Sequence, residues 1–224
     1  MQAVILCGGL GERLRPYTET VPKVMLELKG KPILEHAINH LKNYGIDDFV
    51  LLCGYKSEYI KSHFKDGKKI GVKISYSVEK EKLGTAGAVS NAKDLITNDF
   101  ILINGDIITN FPINELVGVF ERKKKAILTL VRPHSTFGVV EIENSQDGVK
   151  IKNFVEKPRV KEWINAGYTV IPRALIKIFP KKGDVETEVY PKLVENGEMY
   201  AFLLDDKYNW KSIDTHKDLK EVNK

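Results

Sequence analysis

The sequence is poor in cysteine: Cys7 and Cys53 are the only two in 224 residues, which excludes a disulfide framework and a cysteine-based metal centre. Each ends an apolar stretch and precedes a glycine, so both are expected to be small buried thiols. No apolar run is long enough to cross a bilayer, and Met1-Gln2 runs into the first strand with no charged-then-apolar leader. No membrane partner is therefore expected, and a cytoplasmic location is. Internal repeats, low-complexity tracts, linkers and the hexapeptide series of a β-helix are all missing. Among the five histidines (36, 40, 63, 134 and 216) only His36 and His40 stand at a ligand-like spacing. No acidic residue is placed to complete a site with them, so they read as helix surface or satisfied core. The one basic run, Arg122-Lys123-Lys124-Lys125, has no interleaved aromatics and reads as a solvated helix end, so no nucleic-acid partner is expected.

What is present is a chain of ordinary globular composition, with length for one large or two small domains. Its net charge of +5 suits a small anionic substrate. Its most informative stretch is Val4-Ile5-Leu6-Cys7-Gly8-Gly9-Leu10-Gly11-Glu12-Arg13-Leu14-Arg15-Pro16, closed by Pro22-Lys23. A short apolar strand, ending near Leu6, empties into a glycine-rich turn carrying two arginines and then a lysine. Glycines at 8, 9 and 11 let the backbone approach a ligand closely and turn its N–H groups toward phosphate oxygens. Arg13, Arg15 and Lys23 add fixed positive charge. Leu14 stands where the dinucleotide fingerprint needs its third glycine, and no Gly-Lys-Ser/Thr tripeptide exists for a P-loop. A polyphosphate cradle of another kind is the reading that remains.

Along the chain, strands and helices alternate. Val24–Leu28 reads as extended. Ile33–Tyr44 reads as a helix opened by Pro32, Phe49–Cys53 as a buried strand, Ser57–Phe64 as a helix and Val72–Val78 as a strand. Leu83-Gly84-Thr85-Ala86-Gly87 opens a third helix, with Thr85 as its N-cap. Phe100–Ile103 is a strand ending in Asn104-Gly105-Asp106. Continuous apolar strands between amphipathic helices predict an α/β fold with a mostly parallel sheet covered on both faces. Ligands of such sheets bind beyond the carboxyl ends of the strands, where the glycine loop, Cys53-Gly54-Tyr55 and Asp106 should share a rim.

From about Phe111 the pattern changes to a helix over 113–123 and strands near 126–131, 137–142 and 149–154. The turn at 144–148 signals a hairpin between the last two. Glu156-Lys157-Pro158, Asn165-Ala166-Gly167 and a strand over 168–171 come next. Helices over 172–179 and 187–195, a strand over 200–204, and Trp210 through Asp214 complete the chain. Thr215-His216-Lys217-Asp218 caps a last helix as a box. This half reads as an inserted β-rich substrate region on the same core. Asp106 and Asp214 each have an ordinary reading as turn or cap residues. Two carboxylates facing a triphosphate cradle also make a Mg²⁺ site, because that ion favours a few carboxylates plus phosphate oxygens.

Taken together and in this order, these motifs resemble the sugar-1-phosphate nucleotidylyltransferases, nearly end to end. The loop Gly8 to Pro16 with Pro22-Lys23 is similar to the family's signature loop, with Glu12 where threonine is usual. Leu83 to Gly87 resembles its base-contacting turn, and Asn104-Gly105-Asp106 the segment bearing the first metal carboxylate. Glu156-Lys157-Pro158 resembles the motif whose lysine holds the sugar phosphate. Gly138, Asn165 and Glu186 fall where the family lines its sugar pocket. Trp210 to Thr215 resembles the segment with the second metal carboxylate, Asp214, with Ser212 in place of a more usual acidic residue.

The resemblance implies one Rossmann-like domain over 1–224, with a nucleotide-binding half (1–110) and a sugar-phosphate-binding half (111–224). It implies attack of a sugar 1-phosphate on the α-phosphorus of a nucleoside triphosphate, with Mg²⁺ as cofactor and pyrophosphate released. Arg13 and Lys23 are then the catalytic cations. Leu6, Gly8, Gly9, Gly11, Gly84, Thr85 and Gly87 contact the nucleotide, and Gly138, Glu156, Lys157, Asn165 and Glu186 the sugar phosphate. Asp106 and Asp214 hold the metal. A homo-oligomer is allowed, since relatives are often dimers or larger.

The Leu-Gly-Thr-Ala-Gly turn looks more like the guanylyl and adenylyl branches than the thymidylyl one. GTP with mannose 1-phosphate or a related hexose or heptose 1-phosphate is the favoured pair. Uridylyl, thymidylyl, adenylyl or cytidylyl transfer to a glucose or amino-sugar phosphate is the alternative. A non-catalytic, nucleotide-sugar-sensing subunit is the alternative from another class.

Overall fold

A computed structural model of the chain describes residues 1–223. Its centre is a seven-stranded mixed sheet in the order Met199–Leu203, Ala126–Val131, Ile164–Ile171, Phe100–Asn104, Gln2–Leu6, Asp48–Cys53, Lys73–Val78. All neighbours run parallel except Ile164–Ile171, which is antiparallel to both of its partners. Three of the seven strands come from the second half of the chain, so the two halves share one sheet.

Side-chain alternation explains why both faces are covered. From Gln2–Leu6, Ala3 and Ile5 enter one core with Leu34, Ile38, Leu41, Ile60, Phe64, Leu116 and Phe120 from the helices Ile33–Lys42, Ser57–Phe64 and Ile113–Lys123. Val4 points the other way and meets Ala86, Val89, Val185, Val189 and Leu193. Burying both faces at about 25 cal/mol per Å² of apolar area makes this sheet the main source of stability. A third, smaller cluster of Leu14, Leu26, Leu28, Ile33 and Ile213 lies under the glycine loop and ties it to the end of the chain.

Register sets the functional rim. Leu6 stands opposite Leu52 on one side and Asn104 on the other, all in parallel, so three strand ends finish together. The glycine loop, Gly54-Tyr55 and Gly105-Asp106 leave from that level.

Several local expectations are corrected. Val24–Leu28 is not one extended piece: Lys23–Met25 is a 3₁₀ turn, closed by Met25 N–H to the Pro22 carbonyl at 2.8 Å, and only Glu27–Leu28 is strand. Thr85 is not an N-cap. The helix runs Gly84–Asn91, with its first free amides bonded by a segment far along the chain. The stretch 187–195 is two short helices, Val185–Glu188 and Tyr190–Glu195, with Pro191 in the first turn of the second. Residues 172–179 hold a 3₁₀ helix, Arg173–Ile178. The strand expected over 168–171 starts at Ile164, because a bulge between Asn165 and Thr169 lets Asn165-Ala166-Gly167 leave and rejoin the ladder. The predicted hairpin is Val139–Ser145 with Gly148–Val155, and it stands apart as its own two-stranded ribbon. The Thr215–Asp218 box is present: the Asp218 carboxylate accepts from the Thr215 amide at 2.8 Å, and the Thr215 hydroxyl accepts from the Asp218 amide at 3.3 Å.

Candidate active site

The rim opens on a cleft of about 870 Å³, within the range of small-ligand sites. Its first wall is the glycine loop. Gly11 is held at φ +64°, and a Cβ there would sit 2.8 Å from Thr18 Cγ2, so backbone conformation and space both require glycine. The Thr18 hydroxyl donates to the Gly11 carbonyl at 2.9 Å and braces the turn. Among the described residues the amides of Gly8, Gly9, Leu10 and Gly11 have no hydrogen-bond partner within the chain. Unpaired N–H groups lining a cleft are donors awaiting an anion.

Four charges meet at one end of this loop. The Lys23 ammonium, only 12% exposed, lies 2.5 Å from Asp106 Oδ2 and 2.9 Å from Asp214 Oδ1. Arg13, which is largely exposed, reaches the same Asp214 oxygen at 2.8 Å. The carboxylates come from distant parts of the chain, and backbone pairing brings them together. The short strand Trp210–Ser212 pairs antiparallel with Ile107–Thr109, and the Ile213 amide donates to the Asp106 carbonyl at 3.0 Å. Ser212, in the place of an acidic residue, donates its hydroxyl to Asp214 Oδ2 at 2.6 Å. Burial pushes the Asp214 carboxyl up. The Ser212 and Lys23 hydrogen bonds and the Lys23 and Arg13 charges outweigh burial and hold it below the usual aspartate value.

The donor set fits a magnesium ion. Two carboxylates converge on one cationic point, and among the described residues no group of three His, Cys, Asp or Glu side chains could hold a metal alone. An ion bound there needs phosphate oxygens and water to complete its shell, which is the habit of Mg²⁺.

The opposite wall is built by a clasp between the two halves of the chain. The Gly183 carbonyl accepts from Ala86 N–H at 2.9 Å and Gly87 N–H at 3.2 Å, and Asp184 Oδ1 accepts from Thr85 N–H at 3.0 Å. The Thr85 hydroxyl accepts from the Val185 amide at 2.8 Å and donates to Glu186 Oε2 at 3.3 Å. Gly84 must be glycine here: its φ is +78°, and a Cβ would stand 2.4 Å from the Gly183 carbonyl oxygen. The helix N-terminus is thus already satisfied by protein. Beside it, Glu79 accepts from the Leu83 amide through Oε2 at 3.2 Å, while Oε1 lies against Gly8 and Gly54.

Of the sequence-predicted residues, Leu6, Gly8, Gly9, Gly11, Arg13, Lys23, Gly84, Thr85, Asp106, Glu186 and Asp214 line this one cleft. Glu186 stands by Thr85 rather than with the other expected sugar-pocket residues. Gly87 packs on the Lys181-Lys182 backbone, outside the lining. Asn165 accepts from the Gly167 amide at 2.7 Å, and Gly167 packs on the Asn104 side chain just behind Asp106. The Trp210 indole donates to the Ala166 carbonyl at 2.9 Å, tying that bulge to the Asp214 segment.

Gly138, Glu156 and Lys157 sit at the root of the hairpin, where the Phe154 ring lies over Gly138. Lys157 is half exposed at φ +48°, with Glu156 3.7 Å away. Cys53-Gly54-Tyr55, expected on the rim, line the cleft as well; Glu79 and Asp184 also line it but carry no motif, so sequence reasoning passed over them.

A glycine cradle, paired cations and two carboxylates on the carboxyl edge of a mixed sheet define a nucleotide-transferring enzyme class. Residues 2–224 match the Nucleotidyl transferase family model, and the chain belongs to that family. It is 38% identical over 214 residues to a mannose-1-phosphate guanylyltransferase catalytic subunit beta of Danio rerio, covering 91% of this chain and 59% of that protein. It is 37% identical over 219 residues to the bifunctional protein GlmU of Methanococcus maripaludis, covering 93% of this chain and 51% of that one. The chain thus spans somewhat over half the length of these relatives. Among solved structures, HddC from Yersinia pseudotuberculosis complexed with GMP-PN superposes with a TM-score of 0.77 at 27% identity, covering 99% of this chain and 97% of that one.

Proposed function

We propose that the protein transfers a nucleotidyl group from a nucleoside triphosphate to a sugar 1-phosphate, with GTP and mannose 1-phosphate, or a related hexose or heptose 1-phosphate, as the favoured pair. The observation that carries this reading is the Asp106–Lys23–Asp214 bridge beside four unpaired loop amides. A sugar phosphate is already an anionic nucleophile, so no general base is required. The task is to hold two mutually repelling anions in line and neutralise charge in the transition state. The free amides of Gly8 to Gly11 bind the triphosphate. Arg13 and Lys23 move from carboxylate to phosphate oxygens as the triphosphate enters, placing Lys23 toward the α-phosphate. Lys157 grips the incoming phosphate. Asp106 and Asp214 hold Mg²⁺, which polarises the α-phosphate when bound.

The guanine preference is supported by Glu79. Its Oε1 accepts no hydrogen bond among the described residues and lies beside Gly8 and Gly54 in the cleft, where a carboxylate oxygen suits the adjacent N1–H and N2–H donors of guanine. Adenine, uracil and thymine present no such donor pair. The guanylyltransferase name of the Danio rerio relative and the GMP-PN complex of HddC point the same way.

The test is pyrophosphate release across a panel of five nucleoside triphosphates and several sugar 1-phosphates. The expected optimum is GTP with a manno-configured phosphate. An optimum with UTP and an amino-sugar phosphate would replace the substrate pair. Tight nucleotide-sugar binding with no turnover for any pair would make the protein a sensor.

A further inference from the structure

Three consecutive residues of the glycine loop face the end of the chain. The Arg13 guanidinium meets Asp214, Leu14 is buried in one cluster with Ile213, and the Arg15 carbonyl lies 2.8 Å from His216 Nε2. A carbonyl oxygen only accepts, so Nε2 carries the proton and donates it. The imidazole also packs on Tyr17, with ring centroids 4.8 Å apart. On the loop side these residues span two 3₁₀ turns, Glu12–Leu14 and Tyr17–Glu19, and on the other side His216 opens the last helix, His216–Asn223.

Among the described residues, three hydrogen bonds join positions 8–23 to positions 210–223: Arg13 to Asp214, Lys23 to Asp214 and His216 to Arg15. The first two end on the same oxygen, Asp214 Oδ1, and in the proposed mechanism both are given up when the cations turn to phosphate. The Leu14–Ile213 contact is apolar, and such contacts are non-directional. The His216 bond is directional, and it shares no atom with the ionic cluster.

We infer that His216 is a positioning residue: it pins the glycine loop to the Asp214 segment while Arg13 and Lys23 release Asp214 and take up the triphosphate. The inference rests on the proposed triphosphate site. The pin is braced on both sides. Asp218 accepts from the Asp214 and Thr215 amides at 3.2 and 2.8 Å, which ties Asp214 to the helix that carries His216. In the loop, the Gly11 carbonyl accepts from the Leu14 amide and the Thr18 hydroxyl, both at 2.9 Å, and so links Arg15 back to the four unpaired amides. Without the pin, loop and carboxylate separate as their ions exchange partners, and each binding event must order them again.

Two variants test this. His216→Leu removes the donor and keeps apolar bulk against Tyr17, whereas His216→Gln returns an N–H near the Nε2 position. Unchanged far-ultraviolet circular dichroism is expected for both. In the ligand-free chain the Leu14, Arg15 and Glu19 amides are hydrogen-bonded within the loop, and their exchange should quicken about tenfold in His216→Leu, the scale of one hydrogen bond. His216→Gln should restore most of that protection. With GTP and mannose 1-phosphate, His216→Leu should raise the triphosphate KM about tenfold on the same scale, lower kcat far less and leave the sugar-phosphate KM unmoved, with His216→Gln close to wild type. Unchanged exchange in His216→Leu, equal losses in the two variants, or a kinetic loss carried by the sugar phosphate would each overturn the inference. A wild-type chain that turns over no substrate pair overturns the functional reading instead, and the exchange comparison, which needs no substrate, still decides the pin.

Discussion

The two ends of the candidate active site are prepared to very different degrees. At the proposed triphosphate end, Lys23, Arg13, Asp106 and Asp214 are bonded to one another, and Ser212, Ile213 and the Trp210 strand hold the acidic side from behind. At the proposed sugar-phosphate end, Lys157 lies outside the cleft lining and stands half exposed at the root of a ribbon, with Glu156 its nearest ionic partner. The first end is built before ligand arrives, because its charges neutralise one another in the absence of phosphate. The second has no counter-charge strong enough to fix it, so substrate must do so. Pre-organised charge costs no reorganisation during reaction, so losses at the first end should fall on the chemical step and losses at the second on substrate capture.

The largest expected effect is at the prepared end. Asp106→Ala should lower kcat by about 1,000-fold or more, the scale of losing a principal electrostatic element, while circular dichroism stays native. Near-normal turnover would remove Asp106 from the reaction. Lys157→Ala should lower kcat/KM for the sugar phosphate by about 100-fold, as loss of a charge-assisted phosphate contact of about 3 kcal/mol implies. The triphosphate KM should hardly move; a defect confined to the triphosphate would erase the contrast between the two ends.

Glu79→Gln should be milder, reducing GTP-over-ATP discrimination by about 10- to 100-fold, because a paired polar contact is what rejects the wrong base. Unchanged base selectivity would move the base reader elsewhere. The smallest effect concerns stability. Asp214 is held below its unfolded value, so its charge contributes stability that is complete above about pH 3.9 and disappears as pH falls through the folded value. In urea titrations, the deficit of Asp214→Asn should be present at pH 7 and vanish toward pH 2. A deficit independent of pH would mean the carboxylate's charge contributes nothing to stability.

Much of the prepared end was legible in the sequence because its signal is local. Glycines and cations are packed into one loop after one strand, and the alternation of apolar strands with helices predicted the sheet that carries it. The joint use of Asp106 and Asp214 was inferred from their chemistry and supported by resemblance, but how they meet was not legible, because no local pattern announces that Trp210–Ser212 will zip onto Ile107–Thr109. Thr85 was misread for a related reason: a helix start that looked self-capped is capped by Gly183 and Asp184 across the cleft. Glu79 stayed invisible because its importance comes from facing Gly8 and Gly54, neighbours supplied by adjacent strands. Ser212, a departure from the expected acidic residue, turns out to donate a hydrogen bond to Asp214.

The most direct measurement is simultaneous quantification of pyrophosphate and nucleotide sugar from the wild-type chain given GTP and mannose 1-phosphate, with Mg²⁺ and then with a chelator. Equimolar products that vanish on chelation and return with added Mg²⁺ are expected. Equimolar products unaffected by removing divalent ions would contradict the assignment of Asp106 and Asp214.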